Sequence, residues 1–136
     1  MKKFGALLLA CLMMVSALSF SASANDYGIM PCWNNTNDLI IAHKAVGTTA
    51  CCQIDMNIAI GATITNNVIR LIDVDEGRIV KTWTNPTMTV DAVNTHSFYD
   101  EVPGITNGHV YQLTIQCQVW RNGVYDTISD GVAAQY

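Results

Sequence analysis

The sequence predicts an all-β chain, a sandwich or barrel of about seven strands behind an export leader. Three observations predict it: no apolar repeat of 3.6 residues is sustained after residue 25, Thr, Val and Ile are abundant, and turn residues recur every ten or so positions.

The leader comes first. Met1-Lys2-Lys3 is followed by an apolar run from Phe4 to about Phe20 and then by Ser21-Ala22-Ser23-Ala24, the order of charge, apolar core and small residues in a cleavable signal peptide. The run of about 17 residues is shorter than the roughly 20 that cross a bilayer, and Ala22 and Ala24 form the A-x-A of a cleavage site after Ala24. The organisation read from this is a signal peptide over residues 1–24 and a single β-sandwich domain over residues 25–136, secreted to the extracellular side. Leu8-Leu9-Ala10-Cys11 also reads as a lipobox, and only a lipid on Cys11 would make a membrane the partner. The residues after Cys11 continue the apolar core where a lipidated cysteine starts a polar tether, so Cys11 is read as one more leader residue.

About 112 residues remain, enough for one core and not for two. They carry five of the seven basic residues and all eleven acids, a formal charge of about −6, with no basic cluster after Lys3. That balance excludes nucleic acid and anionic membranes as electrostatic partners.

Strands are expected at 37–44, 50–60, 66–74, 78–84, 87–99, 109–121 and 124–129. Gly47-Thr48-Thr49, Asp75-Glu76-Gly77, Asn85-Pro86 and Pro103-Gly104 punctuate them, and Asn122-Gly123 predicts a tight type I′ hairpin turn. Two strands declare their faces by alternation. Cys52, Ile54, Met56, Ile58 and Ile60 should point inward, as should Tyr111, Leu113, Ile115, Cys117 and Val119.

Four cysteines follow the leader, an even number in an exported chain, which reads as a disulfide framework with three possible pairings. Facing selects Cys52 with Cys117 and leaves Cys32 with Cys51. Unstrained, the first bridge closes a long loop and is worth on the order of 4 kcal/mol. A metal or reactive site at Cys51-Cys52 is disfavoured, since adjacent strand residues point to opposite faces and cannot converge on one ion.

Ile105-Thr106-Asn107-Gly108-His109-Val110-Tyr111, followed by Gln112-Leu113-Thr114-Ile115, resembles the L-x-P-G-x-x-Y turn and strand of fibronectin type III and other immunoglobulin-like domains, with Asn107 in place of the proline. The resemblance implies an immunoglobulin-like or fibronectin type III-like β-sandwich in which Tyr111 is a tyrosine corner, its hydroxyl bonding to upstream backbone. The layout with Lys81-Thr82-Trp83-Thr84 and the late Tyr-x-Leu-x-Ile strand is also similar to small secreted proteins of Gram-positive gut bacteria. That second resemblance implies export and fold and names no activity.

Motifs with chemistry are sparse. There is no G-x-S-x-G, no H-E-x-x-H and no Gly-rich phosphate loop, and His43, His96 and His109 stand apart from one another. Asp73, Asp75 and Glu76 ahead of Gly77 have a spacing that offers oxygens to calcium, although a solvated hairpin turn explains the same residues. Asn34-Asn35-Thr36 is a glycosylation sequon with meaning only in a eukaryotic secretory pathway. Of Trp33, Trp83 and Trp120, the last two are candidates for an exposed binding patch if they share a face. No cofactor is expected. The reading is a secreted, non-enzymatic binding or structural module whose partner is an extracellular protein or glycan. A secreted effector is the alternative, with an enzyme or inhibitor acting on extracellular polymers behind it.

Overall fold

The computed structural model describes residues 33–136, so the leader, Cys11 and Cys32 lie outside the described residues. Eight strands form: β1 (Thr36–Val46), β2 (Thr49–Ile58), β3 (Thr63–Asp73), β4 (Arg78–Thr84), β5 (Thr89–Val90), β6 (Thr95–Pro103), β7 (Val110–Arg121) and β8 (Val124–Gln135). They make two antiparallel sheets ordered β1-β2-β6-β5 and β4-β3-β7-β8. Lettered in chain order, this is A-B-E-D facing C′-C-F-G, the immunoglobulin-like strand order.

Alternation builds the core. Cys52, Ile54, Met56 and Ile58 of β2 and Tyr111, Leu113, Ile115, Cys117 and Val119 of β7 are all buried, joined by Ile69 and Leu71 of β3, Phe98 of β6 and Ile128 of β8. Each fully buried aliphatic side chain of this kind contributes about 1.5–3 kcal/mol through apolar area removed from water. Ile60 departs from the expected inward row: β2 ends at Ile58, the chain turns through Gly61, and Ile60 is 85% exposed.

The expected seven strands become eight because 87–99 breaks in two. The Asp91 carboxylate accepts hydrogen bonds from the Val93 and Thr95 N–H groups, at 3.0 and 2.8 Å, and Asn94 takes a left-handed φ of 62°. A side chain that satisfies the backbone locally ends a strand. The last strand instead runs past the expected residue 129 to Gln135, because it pairs with β7 along its whole length. Asn122 and Gly123, with φ of 52° and 81°, close that hairpin in the two-residue turn expected of them.

The first described residues are tied down by a buried carboxylate. Asp126 accepts the N–H groups of Asn34 and Asn35 at 2.9 and 2.7 Å, which seats the start of β1 against the β7–β8 end of the sandwich. At the opposite end, the Tyr111 hydroxyl accepts the Thr106 N–H at 2.9 Å, the backbone bond that the resemblance implies for this position, and the ring stacks on Tyr136 with centroids 4.8 Å apart. Tyr111→Phe removes one buried acceptor and strands the Thr106 N–H. Urea unfolding should show a loss of about 1–2 kcal/mol with an unchanged m-value.

Candidate functional site

Titratable groups concentrate at the corner where β3 turns into β4 and β7 begins. Asp73 ends β3 in inward register and is fully buried. One carboxylate oxygen accepts the Glu76 N–H at 3.1 Å and the other meets His109 Nδ1 at 2.9 Å. Asp75 accepts the Val110 N–H at 2.6 Å. Glu76 turns away to pair with Arg78 at 2.7 Å, so the calcium trio expected from spacing is not brought together. Asp73, Asp75 and His109 are instead the group whose ligand atoms all lie within 4.8 Å of one another. His109 is 36 residues from Asp73 in the chain. Only the antiparallel register of β3 with β7, which sets Asp73 opposite Tyr111, reveals the partnership.

The carboxylates of this corner are occupied by protein donors, and the corner acts as a clasp. Burial alone pushes the Asp73 carboxyl up, but hydrogen bonds from His109 and the Glu76 N–H, with the Tyr111 hydroxyl acting in the same direction, outweigh it and hold it below the usual range. The hydrogen bond to Asp73 raises His109 against the opposing effect of desolvation. The contribution of His109 is therefore complete below its ordinary value of 6.5 and lost as pH rises through the raised folded value. That of Asp73 is complete above 3.8 and lost as pH falls through the depressed folded value.

The two tryptophans singled out for binding lie on the same sheet but on opposite faces. Trp83 is registered with buried Ile69 and turns inward, its ring edge-on to Phe98 at 5.2 Å between centroids. Its indole N–H donates to Asp100 at 2.7 Å, on the same oxygen that receives Lys81 at 2.8 Å. The Lys81 hydrogen bond, more than the burial that opposes it, holds Asp100 below the ordinary carboxyl range. Trp83 thus seals the flank of the sandwich, and the shared Trp83–Trp120 patch does not form. Trp33, half-buried, packs on the core from the other side of the fold.

Trp120 faces outward, directly across from Tyr125 on β8, and the two are 47% and 61% exposed. Behind this aromatic pair the outer face of β3, β7 and β8 runs in neutral rows. Thr65 is registered with Gln118 and Thr127, Val68 with Gln116 and Ser129, and Arg70 with Thr114 and Gly131. Arg70 is the one charged side chain in outward register on these three strands. It donates to the Gln116 amide oxygen at 3.0 Å, and Asn66 donates to that of Gln118 at 2.9 Å, so each glutamine is oriented with its NH2 turned away from its donor. A shallow groove of about 430 Å³ follows Arg70, Gln112, Gln116, Ser129 and Asp130 over Gly131, where an added Cβ would meet Thr114 Cγ2 at 2.8 Å.

No protein-family model matches this chain, and no curated protein and no solved structure is similar to it.

Cys51, Cys52 and Cys117 are unbridged thiols. Cys52 and Cys117 both face the core as alternation requires, but the expected Cys52–Cys117 staple is not formed. Cys51 faces outward beside Lys44 and Glu101. Cys51 is free, and Cys32, its expected partner, lies outside the described residues. Burial pushes the Cys52 thiol up to about 12, with the Asp100 charge adding to it, and burial pushes Cys117 up to about 11.

The remaining histidines are separate. His43 Nδ1 meets the Tyr136 hydroxyl, tying edge strand β1 to edge strand β8, and His96 lies on β6 far from both.

Two measurements check these assignments. The excess of the wild-type urea midpoint over that of His109→Gln should hold between about pH 4 and 6.5 and shrink as pH rises above that window. Alkylation of the folded chain should label Cys51 at once and Cys52 and Cys117 only after denaturant is added; protection of Cys51 would contradict its outward placement.

Proposed function

We propose that the chain is an exported, non-enzymatic binding module whose recognition surface is the outer face of β3, β7 and β8, and that the ligand is a neutral extracellular glycan. The observation that carries this reading is the exposed Trp120–Tyr125 pair at the head of rows of oriented amides and hydroxyls. A sugar ring presents an apolar C–H face and a rim of hydroxyls. Aromatic rings cover the first at low entropic cost, and amides such as Gln116 and Gln118 pair with the second. The face balances one cation, Arg70, against one anion, Asp130, which matters in so acidic a chain because no net negative field there favours a cationic partner. The polar groups are held on strands, which lowers the cost of ordering them on binding.

Electrophoresis through gels containing neutral polysaccharides tests this directly. The wild-type chain should be retarded by at least one of them. Trp120→Ala should weaken that retardation by about tenfold or more, equivalent to ~1.4 kcal/mol. Trp83→Phe, which alters the inward tryptophan, should migrate as wild type. Equal retardation of wild type and Trp120→Ala, or none across neutral polysaccharides of differing linkage, would remove the proposal.

A further inference from the structure

Between β4 and β6 the chain crosses from one sheet to the other, and the crossing segment roofs a pocket of about 410 Å³. Ile64, Asn67, Pro86, Met88, Val90 and His96 are among its walls, and no carboxylate, lysine or arginine lines it. That volume falls within the range of small-ligand sites, about 300–1,000 Å³.

Asn67 is placed there by a β-bulge in β3 between Thr65 and Val68, with Asn66 at a φ of 53°. Bulges re-aim side chains in this way. Asn67 is only 4% exposed, and its backbone is satisfied on both sides by Asn85, whose side-chain oxygen accepts its N–H at 3.0 Å and whose N–H donates to its carbonyl at 2.6 Å. Its amide nitrogen points to the Met88 sulfur at 3.4 Å. Its amide oxygen has no hydrogen-bond partner among the described residues. Turning the amide over transfers the deficit to the nitrogen, since a thioether donates nothing. A buried acceptor left unmade is costly, and a ligand donor removes that deficit.

The walls narrow the ligand further. Ile64, Pro86 and Val90 are apolar, and the polarisable Met88 sulfur favours contact with an aromatic ring. The imidazole of His96 is kept toward its neutral form by burial, against the nearby Asp91 charge. A charged ligand would find no counter-charge here.

We infer that this pocket binds a neutral aromatic group carrying one ring N–H or O–H, of the indole or phenol class, with the Asn67 amide oxygen accepting its hydrogen bond. The site does not use Trp120, and it borders the glycan-binding face at Thr63, which is registered with Trp120. The aromatic group can arrive as a free small molecule or as the tryptophan or tyrosine side chain of a partner peptide.

Titration of the full chain by ¹H–¹⁵N NMR tests it, using indole, the isosteric benzofuran that lacks the donor, and the anion indole-3-acetate. Indole should shift resonances at 62–67, 85–90 and 96 and bind about tenfold more tightly than benzofuran, with indole-3-acetate weaker than both. Asn67→Leu, which replaces the orphaned amide by an apolar group of similar shape, should keep benzofuran binding and abolish the preference for indole. If that variant does not fold, Val90→Trp at the exposed rim should block both ligands. A short peptide with a central tryptophan identifies the source: tighter binding than indole assigns a protein partner, and equal or weaker binding assigns a free molecule. Indole and benzofuran binding alike, shifts elsewhere on the chain, or no shift at these residues, the result expected if only a water satisfies Asn67, would overturn the inference.

Discussion

The inward rows of β2 and β7 meet in one buried cluster, Cys52 to Ile58 from one sheet and Tyr111 to Val119 from the other. Side chains on a strand alternate with a period of two, so this packing dictates what faces water. It places Cys51, Gln53 and Tyr99 on one outer face and Gln116, Gln118 and Trp120 on the other. A register slip of one residue on β7 would bury four polar side chains and expose its share of the core. The candidate binding surface is thus the other side of the same alternation that builds the interior.

The parts of the fold that were legible in the sequence are those where one strand shows this contrast by itself. On β2 and β7 the apolar and polar positions separate cleanly, and Asn122-Gly123 announces its own turn. On β4 they do not. It is an edge strand, half-exposed on both sides, and parity relates Trp83 to Lys81 without saying which face is inward. That face is settled by registration with Ile69 of β3 and by the bond to Asp100 of β6, contacts made by strands far apart in sequence. His109 was missed as a partner of Asp73 for the same reason, and Asn67 because a bulge, not a pattern, turns it inward.

The cysteines show what a facing argument can and cannot decide. It placed Cys52 and Cys117 inside, where they are, but facing carries no information about height along the strand. In immunoglobulin domains the second bridging cysteine stands two residues after the corner tyrosine. Two residues after Tyr111 is Leu113, and Cys117 stands four residues further along β7. Apolar packing at Leu113, together with the Asp73–His109 clasp next to Tyr111, ties this end of the sandwich without a covalent bond.

Many of the acids serve the fold. A general acid acting on a glycosidic bond needs a carboxyl whose pKa is raised. Here Asp73 and Asp100 are both held below the ordinary range, each by cationic or N–H donors that fix it in a structural role. Asp126 caps the first described residues, Asp91 makes a turn, Asp75 holds the start of β7, and Glu76 pairs with Arg78. These six carboxylates are thus employed in closing turns and joining sheets, while Asp38, Glu101 and Asp130 are exposed. The outer face of β3, β7 and β8 carries hydroxyls, amides, two aromatic rings and Arg70, with Asp130 beside the groove, the groups on which the proposed recognition of a neutral glycan rests.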